Sequence, residues 1–196
     1  RRVLFRSAFN SRRVAPEEWV VAAHDSDESI LIPHDLHGYE SALVAAQTLT
    51  KSGKRASVIK AHSPLQALAA ISTHSEDLEN DFSVEVETMS AAAASTTSIT
   101  IARALREMNF ESGTVIAGAV IALSERKIIA TGADEADAAL AAIAQNITPE
   151  SQLITLVWGA GSVEQLASEL SERINQNFPS IEVTDRKSTR LNSSHE

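Results

Sequence analysis

The chain has 196 residues and a formal net charge of −9, and 43% of its residues are hydrophobic. It contains no cysteine, which excludes a disulfide scaffold and a cysteine zinc site, and its acidic balance without a basic stripe argues against a nucleic-acid or anionic membrane partner. No apolar run approaches the ~20 residues that span a membrane, so the composition is that of one or two small globular domains.

The two ends of the chain can be encoded by one DNA oligonucleotide read from opposite strands. Arg1–Ser7 (RRVLFRS) can be written AGA CGT GTG CTC TTC CGA TCT, and Asp185–Leu191 (DRKSTRL) can be written GAT CGG AAG AGC ACA CGT CTG. With one A placed before it, the second string matches the reverse complement of the first string at every base except its own last one. We interpret residues 1–7 and 185–196 as adapter-derived tails of a gene fragment and expect them to be detached from the fold. The native segment 8–184 then holds 11 basic and 24 acidic residues, a net charge of −13.

Residues 8–75 are expected to form a first α/β lobe, truncated at its N-terminal side. Apolar runs of strand length alternate with helical patterns here. The predicted elements are a helix at Pro16–Ala23, a strand at Ser29–Ile32, a helix at Tyr39–Thr50, a strand at Ala56–Lys60 and a helix at Pro64–Ser72. This short βαβα spacing favours a parallel sheet with right-handed crossovers.

Residues 76–184 are expected to form a second α/β lobe, separated from the first by the polar stretch Ser72–Asp77. Two β-rich runs, Val115–Leu123 and Lys127–Thr131, are joined by three polar residues and predict a β-hairpin. The other predicted elements are helices at Leu78–Ala94, Asp134–Ile147 and Ser162–Asn177, and strands at Thr97–Ala102, Gln152–Trp158 and Ile181–Thr184.

Histidine-bearing loops, Pro33–Gly38 and Ala61–Pro64, follow both predicted strands of the first lobe. Loops at the carboxyl ends of parallel strands lie at one edge of a sheet, where ligands bind. We therefore expect their polar residues to share an exposed rim that contacts a partner or ligand. Those residues are His34, Asp35, His37, His62 and Ser63. Two alternatives stay open: a metal site built on the His-Asp spacing, and simple capping of the two following helices.

Two glycine motifs are weaker signals. Gly159–Ser162 joins a strand to a helix and could cradle a phosphate, although Ser162 also begins a capping box, which explains the serine without a ligand. Ser52–Lys54 lacks the first glycine of a P-loop and falls at a helix end, which excludes that nucleotide motif. We assign no catalytic residue and no metal ligand, and the residues alone predict no complete active site.

Several stretches carry a resemblance to a known family. They are ILIPHD at Ile30–Asp35, SALVAA at Ser41–Ala46, SPLQALAAI at Ser63–Ile71, the helix around Asp81–Met89, Ser112-Gly113 with the hairpin Val115–Gly132, the strand Leu153–Gly159, and FPSIEV at Phe178–Val183. In this order and spacing, over about Val14–Thr184, they resemble the C-terminal region of the fatty acid kinase A family.

This resemblance implies two small α/β lobes similar to the DegV and dihydroxyacetone-kinase K-type architecture. It also implies a bacterial, cytoplasmic parent protein that uses ATP and Mg²⁺. That protein would phosphorylate a fatty acid held by a separate acyl-binding subunit, giving an acyl phosphate for phospholipid synthesis. The catalytic residues, ATP and magnesium would belong to a preceding dihydroxyacetone-kinase-like domain, so no cofactor is expected in this fragment.

The function expected from the resemblance is that of a non-catalytic region, which docks the acyl-binding partner subunit or supports a homodimer. One alternative is an α/β module that binds a fatty acid or another small molecule in its own cleft. A second alternative is a dihydroxyacetone-kinase-like phosphotransfer domain with its site on the histidine-bearing loops. Under the first hypothesis this segment alone neither hydrolyses ATP nor forms acyl phosphate.

Overall fold

The computed structural model describes residues 2–5, 14–74, 81–110, 113–125, 127–158 and 164–187. The chain divides into two compact units, Arg1–Ser98 and Ile99–Glu196. Each unit combines helices with small sheets, which confirms the α/β class predicted from the sequence.

The first unit is built on a parallel sheet of three strands in the order β1-β2-β3. The strands are β1 (Arg2–Phe5), β2 (Glu28–Ile32) and β3 (Arg55–Val58). The central strand is buried from Ser29 to Ile32, as expected for a parallel strand that is covered on both faces. Leu31 pairs with Val58 in the register of β2 and β3, so these two strands end side by side.

Four helices accompany this sheet: α1 (Pro16–Ala22), α2 (Leu36–Lys51), α3 (Pro64–Ser72) and α4 (Phe82–Ala94). Polar residues cap three of them. The carboxylate of Asp81, for example, accepts a hydrogen bond from the Ser83 N–H at 2.7 Å. That backbone N–H lowers the pKa of the Asp81 carboxyl below its ordinary value, as expected for a carboxylate at a helix N-terminus.

Alternate residues of β2 supply two separate cores. Leu31 lies on one face, and Ile30 and Ile32 lie on the other, because successive strand side chains point to opposite faces. The Leu31 cluster contains Trp19, Leu31, Ala42, Ala45 and Ala46. The opposite cluster contains Ile30, Ile32, Ile59, Ala61, Ala67, Ala70, Phe82, Met89 and Ala93. Helix α2 therefore packs on one face of the sheet, and α3 and α4 pack on the other.

Helix α4 belongs to the first unit, whereas the sequence predicted it in the second lobe. Met89 and Ala93 are fully buried in the cluster shared with β2, and His74 beyond α3 contacts the buried carboxylate of Glu85. The boundary consequently falls after Ser98 rather than at residues 75–76. Polarity at Ser72–Asp77 suggested a linker, but burial of α4 against α3 decides the division.

The second unit contains the predicted hairpin. Strands β4 (Thr100–Arg103), β7 (Val120–Ser124) and β8 (Lys127–Gly132) form an antiparallel sheet in the order β4-β7-β8. Glu125, in the turn between β7 and β8, has a positive φ of 47°. A short antiparallel ribbon, β5 (Met108–Phe110) with β6 (Gly113–Val115), was not predicted, because three-residue strands show too little alternation to be recognised.

The remaining elements of the second unit are two helices and a parallel strand pair. They are α5 (Glu135–Asn146), β9 (Leu153–Trp158), α6 (Glu164–Asn177) and β10 (Glu182–Lys187). Arg173 of α6 donates a hydrogen bond to the Asp137 carboxylate of α5 at 2.6 Å. That contact raises the pKa of the Arg173 guanidinium and joins the two helices.

The expectation that both chain ends are detached is wrong for their described parts. Arg2–Phe5 pairs in parallel with Ser29–Ile32, and β10 continues through Lys187 beside β9. Backbone N–H and C=O groups pair without regard to the origin of the residues, and an unpaired edge of β2 favours any strand-forming segment. The other residues of the two tails lie outside the described part of the chain.

Deleting residues 1–7 should lower the melting temperature by a few degrees, because β2 would lose its partner along one edge. A chain of this size loses about 2–4 °C for each kcal/mol. Differential scanning calorimetry measures this, with deletion of residues 188–196 as the control. An unchanged transition would show that β1 adds nothing and that residues 1–7 behave as a detached tail.

Gly132→Ala should destabilise the second unit more than Gly118→Ala. A Cβ at Gly132 would lie 2.2 Å from the backbone N of Ala138 and 2.8 Å from the carbonyl O of Asp134, whereas a Cβ at Gly118 would meet nothing within 4 Å. We expect a loss of about 3 kcal/mol for Gly132→Ala and about 1 kcal/mol for Gly118→Ala, where only the positive φ opposes the substitution. Urea unfolding measures both losses, and equal losses would contradict a close approach between β8 and α5.

Candidate functional site

The predicted site residues all follow β2 or β3 at the carboxyl ends of these strands. The Ile59 N–H donates to the Leu31 carbonyl at 2.9 Å, which continues the parallel pairing to the end of both strands. The loops that follow therefore leave the same edge of the sheet. We call the set His34, Asp35, His37, His62 and Ser63 the carboxyl-edge rim.

Two members of the carboxyl-edge rim cap helices. The Asp35 carboxylate accepts a hydrogen bond from the Gly38 N–H at 2.7 Å at the start of α2. The Ser63 hydroxyl accepts a hydrogen bond from the Gln66 N–H at 3.2 Å at the start of α3. Helix capping, one of the alternatives left open by the sequence, is thus a role of both residues.

The two histidines that follow β2 differ in exposure. His34 Nε2 lies 3.2 Å from Asp35 Oδ2, and only 13% of the His34 side chain is exposed. His37, in the first turn of α2, is 52% exposed, with its Nδ1 4.0 Å from Glu40 Oε2. His37 is therefore the more accessible of the two imidazoles.

His62 connects the two loops through an aromatic contact. Its ring meets the Tyr39 ring of α2 edge to face, with centroids 5.4 Å apart and planes at 68°. The Nε2 atom of His62 is buried and has no hydrogen-bond partner within the described residues. Aromatic packing, rather than an ion pair, holds this imidazole beside the first turn of α2.

Gln66, which was not predicted as a site residue, organises the loop before α3. Its Oε1 accepts a hydrogen bond from the His62 N–H at 2.8 Å, and its Nε2 donates to the Thr96 carbonyl at 3.1 Å. The sequence signal was present, because Ser63-Pro64-Leu65-Gln66 has the spacing of a capping box.

The rim residues do not form a metal site in the part of the chain that the structure describes. No group of three or more His, Asp or Glu side chains in that part is arranged to hold a metal ion. Outside the rim, His24 contacts its neighbour Asp25, and His74 contacts Glu85. What the rim offers is hydrogen bonding and aromatic contact.

The first glycine motif, Ser52–Lys54, closes the end of a helix. Gly53 follows α2 with a positive φ of 86°, and Lys54 donates hydrogen bonds to the carbonyls of His24 and Ser26. The Lys54 N–H also donates to the Leu49 carbonyl, which closes the end of α2, so Ser52–Lys54 has a structural role. The predicted phosphate cradle at Gly159–Ser162 lies outside the described residues.

An open cavity of about 410 Å³ lies in the second unit, where α5 leads into β9 and α6 leads into β10. It is lined by Ile147, Thr148, Pro149, Ser151, Asn177, Phe178, Pro179, Ser180 and Ile181. No lining side chain is ionisable, so this cavity offers no group for acid–base chemistry.

Among the residues described, no helix is both long enough and apolar enough to cross a bilayer.

Solved structures share this fold. The Streptococcus pneumoniae fatty acid kinase (Fak) B3 protein loaded with linoleic acid has a TM-score of 0.60 at 15% identity, over 89% of this chain and 69% of that one. A fatty-acid-binding DegV family protein from Thermus thermophilus has a TM-score of 0.56 at 12% identity, over 90% and 71%. A Eubacterium eligens DegV family protein loaded with heptadecanoic acid has a TM-score of 0.58 at 16% identity, over 89% and 71%.

These likenesses confirm the DegV-like α/β architecture expected from the sequence. At 12–16% identity they establish the fold alone. Comparison with the curated proteins finds no significant match. The FakA-like C-terminal family, which is named for the A component of fatty acid kinase, matches residues 18–187, nearly the whole chain, and the protein therefore belongs to this family.

Proposed function

We propose that this chain is a non-catalytic C-terminal region of an ATP-dependent fatty acid kinase and that it docks the acyl-binding partner subunit. The observation that carries the proposal is the family match over residues 18–187. In the proposal, ATP and Mg²⁺ bind a different domain of the parent protein, and the partner subunit presents the fatty acid for conversion to acyl phosphate.

The carboxyl-edge rim and the neighbouring side of α2 form the docking surface in this proposal. Leu36, Tyr39 and Leu43 follow one another at helical spacings of three and four residues and so lie on one side of α2. Leu36 and Leu43 are each 39% exposed, and Tyr39 contacts His62 of the rim. Apolar and aromatic side chains bordered by polar groups are the usual composition of a protein interface.

The chemistry of the rim supports docking over catalysis. Asp35 and Ser63 hold the starts of α2 and α3, and a residue engaged as a cap is poorly placed to act as a base or nucleophile. Phosphoryl transfer also needs carboxylate ligands for Mg²⁺, and the residues described contain no such cluster. The phosphotransfer alternative therefore lacks a supporting observation.

Fatty-acid binding by this chain itself is the second candidate function. The observation in its favour is that two solved structures of the same fold hold linoleic acid and heptadecanoic acid, respectively. Ile30, Leu31 and Ile32 of the central strand are buried in the two cores, whereas Leu36 and Leu43 remain exposed on α2, an arrangement that supports docking.

Leu36→Glu combined with Leu43→Glu should weaken binding to the acyl-binding partner by at least tenfold, because two carboxylates would be desolvated in the interface. Val84→Glu is the matched control, since Val84 is 58% exposed and belongs to α4 on the opposite face of the sheet. Isothermal titration calorimetry gives the affinities. Equal affinities for both variants would contradict this docking surface, and light scattering would reveal whether it joins two copies of the chain instead.

The purified chain should carry no stoichiometric fatty acid and form no acyl phosphate with ATP, Mg²⁺ and oleate. Mass spectrometry of the lipid extract and a hydroxamate assay measure the two quantities. One mole of fatty acid per mole of chain would favour the fatty-acid-binding alternative. Mg²⁺-dependent acyl phosphate formation would instead favour the phosphotransfer alternative and overturn the docking proposal.

A further inference from the structure

Gln66 contacts both His62 and Ser63 in the loop before α3. Gln66 stands at the third position of α3, and its amide oxygen accepts the hydrogen bond of the His62 N–H at 2.8 Å. Its own backbone N–H donates to the Ser63 hydroxyl at 3.2 Å. One residue thus holds two consecutive members of the carboxyl-edge rim.

This arrangement departs from an ordinary capping box. In that motif the side chain at the third helical position accepts from the N–H of the N-cap residue, here Ser63. Gln66 accepts instead from the residue before it, His62, and its amide nitrogen donates to the Thr96 carbonyl beyond α4 at 3.1 Å. The extra contact fixes the plane of the amide, so the oxygen stays directed at the His62 backbone.

The consequence falls on the His62 imidazole. Its backbone is held by Gln66 and its ring by the edge-to-face contact with Tyr39. Its Nε2 is buried without a hydrogen-bond partner in the described part of the chain. A buried ring nitrogen without a hydrogen bond does not stabilise the ring where it lies. The position of the His62 ring therefore depends on its packing against Tyr39 and on the backbone that Gln66 holds.

We propose that Gln66 is the positioning residue of the docking surface. It presents His62 and Tyr39 to the partner in a fixed arrangement and does not itself form the contact. This inference rests on the proposed docking function. Because Gln66 orders the loop before the partner arrives, binding does not have to supply the conformational entropy of ordering it.

The test uses Gln66→Ala, Gln66→Glu and His62→Ala, with Gln145→Ala, an exposed glutamine of α5, as the matched control. Hydrogen exchange of the His62 amide is measured in the chain alone, and affinity is measured with the acyl-binding partner. Gln66→Ala should raise the exchange rate of the His62 amide about tenfold and should also weaken binding about tenfold. Gln145→Ala should change neither quantity. In a His62→Ala background, Gln66→Ala should weaken binding less than twofold, because the effect passes through His62.

Gln66→Glu separates the two side-chain contacts and covers the case in which Gln66→Ala does not fold. Its carboxylate still accepts from the His62 N–H but turns an oxygen toward the Thr96 carbonyl, so we expect the exchange rate of the His62 amide and the affinity to lie between those of the original chain and Gln66→Ala. A tenfold weakening that persists in the His62→Ala background, or an unchanged His62 amide in Gln66→Ala, would overturn the positioning role. If the original chain does not bind the partner, the docking function fails, and the exchange measurement alone still decides whether Gln66 holds the loop.

Discussion

The parallel pairing of β2 with β3 is the constraint on which the rest of the first unit depends. Parallel neighbours require a crossover of helical length between them, which α2 supplies, and they must be covered on both faces. The hydrogen bond from the Ile59 N–H to the Leu31 carbonyl keeps the two strands in step to their ends. As a result, two loops distant in sequence leave the same edge of the sheet, and His62 of the second loop contacts Tyr39 of α2.

The alanine content of the helices explains which side chains remain outside. Helix α2 turns Ala42, Ala45 and Ala46 toward the sheet, and small residues allow the helix to pack closely. Leu49, near the end of α2, is buried, whereas Leu36 and Leu43 are partly exposed. Exposed apolar side chains that follow one another along a helix are suited to contact another molecule.

The comparisons with solved structures establish the fold of this chain but not its ligand. The solved structures that share this architecture have 12–16% identity to the chain, and a shared fold does not transfer a ligand. The family match is to the C-terminal region of the A component of fatty acid kinase. The structural neighbours that hold fatty acids are a Fak B3 protein and a DegV family protein. The rim of the first unit is built from helix caps and an aromatic contact, with the backbone of its second loop held by Gln66.

Much of the fold could be predicted from the sequence, since hydrophobic periodicity and capping residues are local signals. The strand at Ser29–Ile32, the helix predicted at Tyr39–Thr50 and found at Leu36–Lys51, and the hairpin before Gly132 are of this kind. The assignment of α4 to the first unit and the pairing of Arg2–Phe5 could not be predicted, because both depend on which unpaired face or edge is nearest in space. The sequence determined which residues occupy the carboxyl-edge rim, through strand order and loop position. Only the tertiary structure decided that Tyr39 meets His62 and that Gln66 reaches Thr96, because contacts between residues 23 and 30 positions apart depend on how the helices pack, which no local pattern encodes.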